Sequence, residues 1–111
     1  MADSVAAGDY SIGSANWPGL AKVSEECSEV VQAAMKLIAM GGEDELHWDG
    51  QGTTVTRLED ELGDARAAIA FLLEVNPVLD QRRIFDRTEA KLVLFRHWHA
   101  KHADHSAGSP S

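Results

Sequence analysis

Four carboxylates stand at matching intervals on two stretches of this chain. Glu26 and Glu29 lie in KVSEECSEVV (residues 22–31), and Glu61 and Asp64 lie in LEDELGDA (residues 58–65). Each pair is spaced i, i+3, which puts both side chains on one face of a helix. With Leu20 at zero and 100° per residue, Val23, Cys27, Val30, Val31, Leu37 and Ile38 fill an apolar arc from about 220° round to 20°. Glu26, at about 240°, falls inside that arc, Glu29 at about 180° marks its edge, and Glu25 at about 140° turns toward water. On the second stretch, with Leu58 at zero, the apolar arc covers about 220° round to 60°; Glu61 at about 300° and Asp64 at about 240° both lie within it.

Acids turned toward a packing partner repel one another and are costly to desolvate, so they must be protonated, hydrated or neutralised by cations. Hard oxygen ligands on facing helices suit Mg²⁺, with Mn²⁺ as the alternative. The competing account leaves the acids at the polar rim of a small bundle. The same pair on two consecutive helices argues against that account. Neither helix carries the Glu-x-x-His pair of a di-iron carboxylate bundle.

The elements that must hold these acids are helical. The expected fold is all-α: a compact domain of three or four helices forming a bundle, completed by homo-oligomerisation. Residues 1–15, rich in Ala, Ser, Gly and Asp, read as a flexible N-terminal arm. Pro18 suits a first helical turn, and the apolar pattern runs to Met40 before Gly41-Gly42 stops it. Residues 41–52, GGEDELHWDGQG, read as a loop slightly longer than an ordinary connection. Thr56 followed by Glu59 fits a capping box for a second helix that runs through Val75 to the Asn76-Pro77 break. A third helix starts between Val78 and Arg82 and reaches His102, with a possible restart at Asp86. The domain spans residues 16–105, and the terminal DHSAGSPS frays into a flexible tail over 106–111. Only TTVT, residues 53–56, resembles a strand.

Length and charge bound the function. A chain of 111 residues is one domain with a modest core, for which burial by self-association is a natural supplement. A formal charge of −8 excludes passive binding to duplex nucleic acid, which needs clustered Lys and Arg. A nucleotide remains a fitting substrate where a metal inverts the local field. Cys27 stands alone, so a reducing cytoplasm is expected, with Cys27 as a small buried apolar residue rather than a nucleophile. No apolar run approaches membrane-spanning length, so no membrane partner is expected.

EECSE (residues 25–29) and DELGDA (residues 60–65), in that order with a loop between them, resemble the E-E-x-x-E and E-x-x-D motifs of the MazG-like nucleotide pyrophosphohydrolases, an all-alpha nucleoside triphosphate pyrophosphatase superfamily. The likeness covers about residues 17–102, including AAMKLIAMGG and EAKLVLFRHWH. It implies that Glu26, Glu29, Glu61 and Asp64 are metal ligands, with Glu25 a peripheral catalytic acid. It also implies a homodimer or homotetramer that hydrolyses a nucleoside triphosphate to monophosphate and pyrophosphate with Mg²⁺. Asp60 stands where many relatives have Glu.

Further contacts complete that expectation. Lys36, two turns after Glu29, would share the metal-proximal side and hold phosphate. Lys91 would hold phosphate or cover apolar area with its stem. Trp17 and Trp48 would stack on the base or pack in the protein, and Asn76 would contact the base or serve as a turn residue. Arg66, Arg82, Arg83 and Arg87 read as surface charges. His99 and His102 share a helical face, but no further ligand completes a zinc set. The alternatives to an enzyme are a non-catalytic all-helical interaction module and a nucleotide-sensing domain.

Overall fold

The structure is a computed structural model that describes residues 10–45 and 52–108, with side chains described as far as residue 103. Among the described residues three helices follow one another: α1 (Leu20–Ala39), α2 (Thr54–Val75) and α3 (Gln81–Gly108). The described fold is all-α. It divides after Pro77 into two units, Met1–Pro77 and Val78–Ser111, so the Asn76-Pro77 break separates the α1–α2 pair from α3.

The start of α1 differs from expectation. Pro18 lies before the helix rather than in its first turn, because Gly19 takes a left-handed φ of 85° and interrupts the helical path. Carbonyls from the preceding segment serve the opening amides: Gly19 N donates to Ser11 O at 2.8 Å and Ala21 N to Tyr10 O at 2.7 Å. At the other end Gly42 N donates to Leu37 O at 2.9 Å, while Gly41 adopts φ 68°. This six-to-one closure terminates α1 where the Gly pair predicts.

The cap of α2 also departs from the sequence reading. Thr53, not Thr56, is the N-cap: its Oγ1 accepts from Thr56 N at 3.2 Å, and Thr56 Oγ1 accepts from Thr53 N at 2.8 Å. The expected Thr56/Glu59 box is therefore one turn late, and most of the strand-like TTVT lies in the first helical turn. Long-range bonds decide this register. Thr54, buried, donates from its hydroxyl to Glu43 O at 2.9 Å and accepts from Glu45 N at 3.0 Å; Val55 N donates to Asp44 Oδ1 at 3.2 Å. These bonds outweigh the β preference of Thr and Val.

The two helices run antiparallel. The residues just after α1 meet the first turn of α2, while Pro18 and Gly19 meet Asn76 and Phe71 at its end. Ala65 and Ala68 are the buried hydrophobic residues among those described, and their small side chains let the helices approach closely.

The faces that pack are rotated from the expected core. Val31 (60% exposed) and Ile38 (68%), expected inside the α1 arc, face outward, as do Leu62 and Ile69 on α2. The half-buried positions of α1 instead run from Lys36 and Glu29 round to Val23 and Cys27, which places Glu26 near the middle of the contact face. Glu61 holds the corresponding place on α2, among Arg57, Leu58, Ala65 and Ala68.

In the second unit Asp80 opens α3: Arg83 N donates to Asp80 Oδ1 at 3.0 Å and Ile84 N to Asp80 O at 3.1 Å. The helix passes Asp86 without a restart and continues beyond His102 to Gly108. Part of the expected frayed tail is thus helical, since neither Gly nor Pro interrupts residues 81–107. Among the described residues, no helix is long and apolar enough to cross a membrane.

Candidate metal centre

The antiparallel pairing brings Glu26 and Glu29 of α1 against Glu61 of α2. Each of the three offers a carboxylate oxygen, and these atoms lie within 4.8 Å of one another. All three residues are half-buried. Glu26 Oε1 and Glu61 Oε1 are withdrawn from solvent and accept no hydrogen bond. An unpartnered carboxylate oxygen in that position is destabilising unless a cation or proton meets it.

Lys22 offsets this only in part. Its Nζ lies 2.5 Å from Glu25 Oε1 and 3.8 Å from Glu26 Oε2, so the ammonium sits on the solvent side of the cluster, bonded to the more exposed acid. Burial raises the Glu26 carboxyl above the ordinary glutamate value, and Glu29 and then Asp64 push it further the same way against the opposing pull of Lys22.

Three hard oxygen donors with two orphaned lone-pair sites suit a divalent cation of the magnesium class. Such an ion takes oxygen donors at about 2.1 Å and keeps several waters, so three carboxylates would leave positions for water or phosphate. The sulfur of Cys27 and the exposed His97, His99 and His102 are not among the residues of this cluster.

A cavity of about 310 Å³ adjoins the cluster. Glu29 and Glu61 form part of its wall, with Gln32, Lys36, Thr54 and Arg57 as further lining residues. Lys36, expected on the metal-proximal side, is on this wall. Arg57 and Gln32 belong to it without having been singled out from sequence. Arg57 was legible in principle: it precedes Glu61 by four residues and falls at about 260° on the same wheel, inside the apolar arc.

The other expected site residues lie elsewhere. Asp64 is exposed and outside the three-carboxylate group, although its charge reaches Glu26. Glu25 is exposed and held by Lys22. Asn76 is buried, and its Nδ2 donates to Pro18 O at 2.9 Å and Leu72 O at 2.8 Å, so the amide is occupied by the fold. Trp17 is partly exposed in the turn before α1, with φ 49°. Lys91 belongs to the second unit, where its Nζ lies 5.9 Å from the centre of the Phe95 ring. Trp48 lies outside the described residues. No family model matches the chain, and no curated protein or solved structure matches it either.

Proposed function

We propose that the chain is a Mg²⁺-dependent, or Mn²⁺-dependent, nucleoside triphosphate pyrophosphohydrolase of the MazG-like kind. One observation carries this reading above the others: acids from two helices converge in the middle of the helix–helix contact, and two of their oxygens are buried without a partner. A helix pair selected only for stability would bury Val31 and Ile38 there instead, since unpaired carboxylates oppose association. The EECSE and DELGDA motifs supply the family likeness.

In this reading Glu26, Glu29 and Glu61 would hold the cation, and Asp64, whose charge reaches Glu26, would be the further acidic donor. A divalent cation held there would supply neutralisation of charge on the phosphoryl oxygens and a more acidic water. The water oxygen attacks the α-phosphorus, and the bond from that phosphorus to the α,β-bridging oxygen breaks. The bridging oxygen keeps the electron pair and leaves as part of pyrophosphate. The water proton passes to a carboxylate; Glu29, on the cavity wall, is better situated than Glu25, which Lys22 holds at the surface.

Self-association belongs to the same reading. Val31, Met35 and Ile38 form an outward stripe at i, i+4 and i+7, of the kind that a second helical chain covers. That stripe also favours the competing account, a non-catalytic helical interaction module. The two accounts part at the acids. A panel of unmodified and damaged triphosphates incubated with Mg²⁺ should yield monophosphate and pyrophosphate in equal amounts. Glu61→Gln should abolish that turnover while the helical circular dichroism is retained; undiminished turnover in this variant removes the enzymatic reading.

A further inference from the structure

Helix α3 has a charge balance opposite to that of the residues before it. Residues 81–103 hold six Lys and Arg but two acids, Asp86 and Glu89, whereas residues 1–77 hold four Lys and Arg against fourteen Asp and Glu. Such a reversal within one chain marks the basic part for contact with an anionic surface. The apolar side chains of α3 are open as well: Leu92 is half-buried, and Ile84, Phe85, Phe95 and Trp98 are exposed.

The helical wheel sorts these groups. With Ile84 at zero and 100° per residue, Ile84, Phe85, Leu92, Phe95 and Trp98 fall from about 320° round to 100°. Arg83, Arg87, Lys91 and Lys101 form a row from about 260° to 340°, along and just inside one border of that sector, and Arg96 at about 120° stands on the other. Both acids lie behind, at about 140° and 200°. The Arg82–Asp86 ion pair, 3.1 Å from Nε to Oδ1, is on that rear face, while Arg83, Arg87, Lys91, Arg96 and Lys101 form none among the described residues. Lys91 Nζ instead lies 5.9 Å from the centre of the Phe95 ring, so its stem covers apolar surface and its charge stays at the edge.

We propose that this face of α3 lies along an anionic lipid bilayer, with its aromatic side chains at the boundary of the acyl chains and its cations on the headgroup phosphates. Charge complementarity favours this cover over a second α3 helix, which would bring the same cations together with neither acid at hand. The row from Arg83 to Lys101 is straight and about 27 Å long, so a flat surface meets all of it at once. Among the described residues no helix is long and apolar enough to cross a membrane, but a helix lying in the surface needs only one apolar face. The metal centre, in the other unit, is not needed for this contact.

Flotation of the full chain with lipid vesicles tests this. The chain should rise with phosphatidylcholine vesicles that contain phosphatidylglycerol, stay behind with phosphatidylcholine alone, and be released as salt is added. Arg83→Gln combined with Arg87→Gln should lower partitioning about 5-fold for each cation and about 30-fold together. Arg82→Gln, on the rear face, should leave it unchanged. Phe95→Ser should weaken binding while helical circular dichroism is retained. Equal partitioning onto both kinds of vesicle, or partitioning undiminished in the double Gln variant, overturns the proposal. A chain that ignores anionic vesicles overturns it too, and sedimentation as a dimer that Phe95→Ser disperses would then show that a second copy covers the face.

Discussion

Asn76 Nδ2 donates to Pro18 O at 2.9 Å across the α1–α2 pair, joining the turn before the first helix to the residue that ends the second. The same amide donates to Leu72 O at 2.8 Å, and the residue is buried. One side chain thus donates to a carbonyl at each end of the junction. Asn76→Ala should lower stability by about 1–3 kcal/mol, the usual result of leaving buried acceptors unpaired. Asn76→Asp should be worse at neutral pH, since a carboxylate would face two carbonyl oxygens and donate to neither. Urea unfolding at pH 7 and again in mild acid checks this, and equal stability of Ala and Asp variants at pH 7 would contradict it.

Gly19 and Gly41 separate two causes of glycine dependence. Both have left-handed φ, 85° and 68°, but a Cβ at Gly19 would lie 2.9 Å from Phe71 Cδ2, whereas nothing lies within 4 Å of one at Gly41. Gly41→Ala should therefore cost about 1–2 kcal/mol from backbone strain alone. Gly19→Ala should cost more, and Phe71→Leu in that background should recover part of the excess without removing the backbone component. Thermal unfolding of the three variants decides the matter; equal losses at the two glycines would show that Phe71 yields freely.

Helical periodicity made the acids visible but not the rotation that gives them their setting. Glu26 and Glu61 stand out because they interrupt an apolar arc, which is a local property of the chain. Which part of a broad arc meets the neighbouring helix depends on side-chain size across the contact, and the small Ala65 and Ala68 favour the side that carries Glu61 rather than Leu62 and Ile69. That choice is tertiary, so Val31 and Ile38 read as core and lie outside. The same distinction explains Arg57, which the sequence reading did not single out although its angle places it with Glu61. The cap of α2 is a further case: Thr53 and Thr56 both satisfy the local cue, and bonds from Thr54 to Glu43 and Glu45 select between them.

Those Thr54 bonds tie the residues after α1 to the wall of the cavity. Thr54→Val keeps the shape but removes the hydroxyl that donates to Glu43 O and accepts from Glu45 N, leaving these two only their 3.1 Å bond to one another, an expected loss of about 1 kcal/mol. Thr53→Ala removes only the cap and should cost about 0.5–2 kcal/mol. Hydrogen exchange should distinguish them. Thr54→Val should release the Glu45 amide, and Thr53→Ala the Thr56 amide. Continued protection of Glu45 in the first variant would mean that the loop is held by other contacts.

Glu26 gives the metal-free chain a particular pH dependence. Its folded carboxyl binds a proton more tightly than an ordinary glutamate because it is half-buried and near the charges of Glu29 and Asp64. As pH rises, the unfolded chain gives up this proton first, so over the window between the ordinary value and the raised one the native state holds more protons and loses stability. The sign is opposite to that of a salt-bridged acid: this contribution favours the fold below the window and opposes it above. Glu26→Gln should remove that slope and raise the melting temperature of the metal-free chain at neutral pH. The same substitution should abolish the stabilisation expected from Mg²⁺, which for the parent chain would be about 2.7 kcal/mol with the ion at one hundred times its Kd. Scanning calorimetry across pH, with and without Mg²⁺, tests both halves. A Gln variant that melts lower than its parent without metal, or that still gains from Mg²⁺, would show that Glu26 is paired by the protein itself and not reserved for a cation.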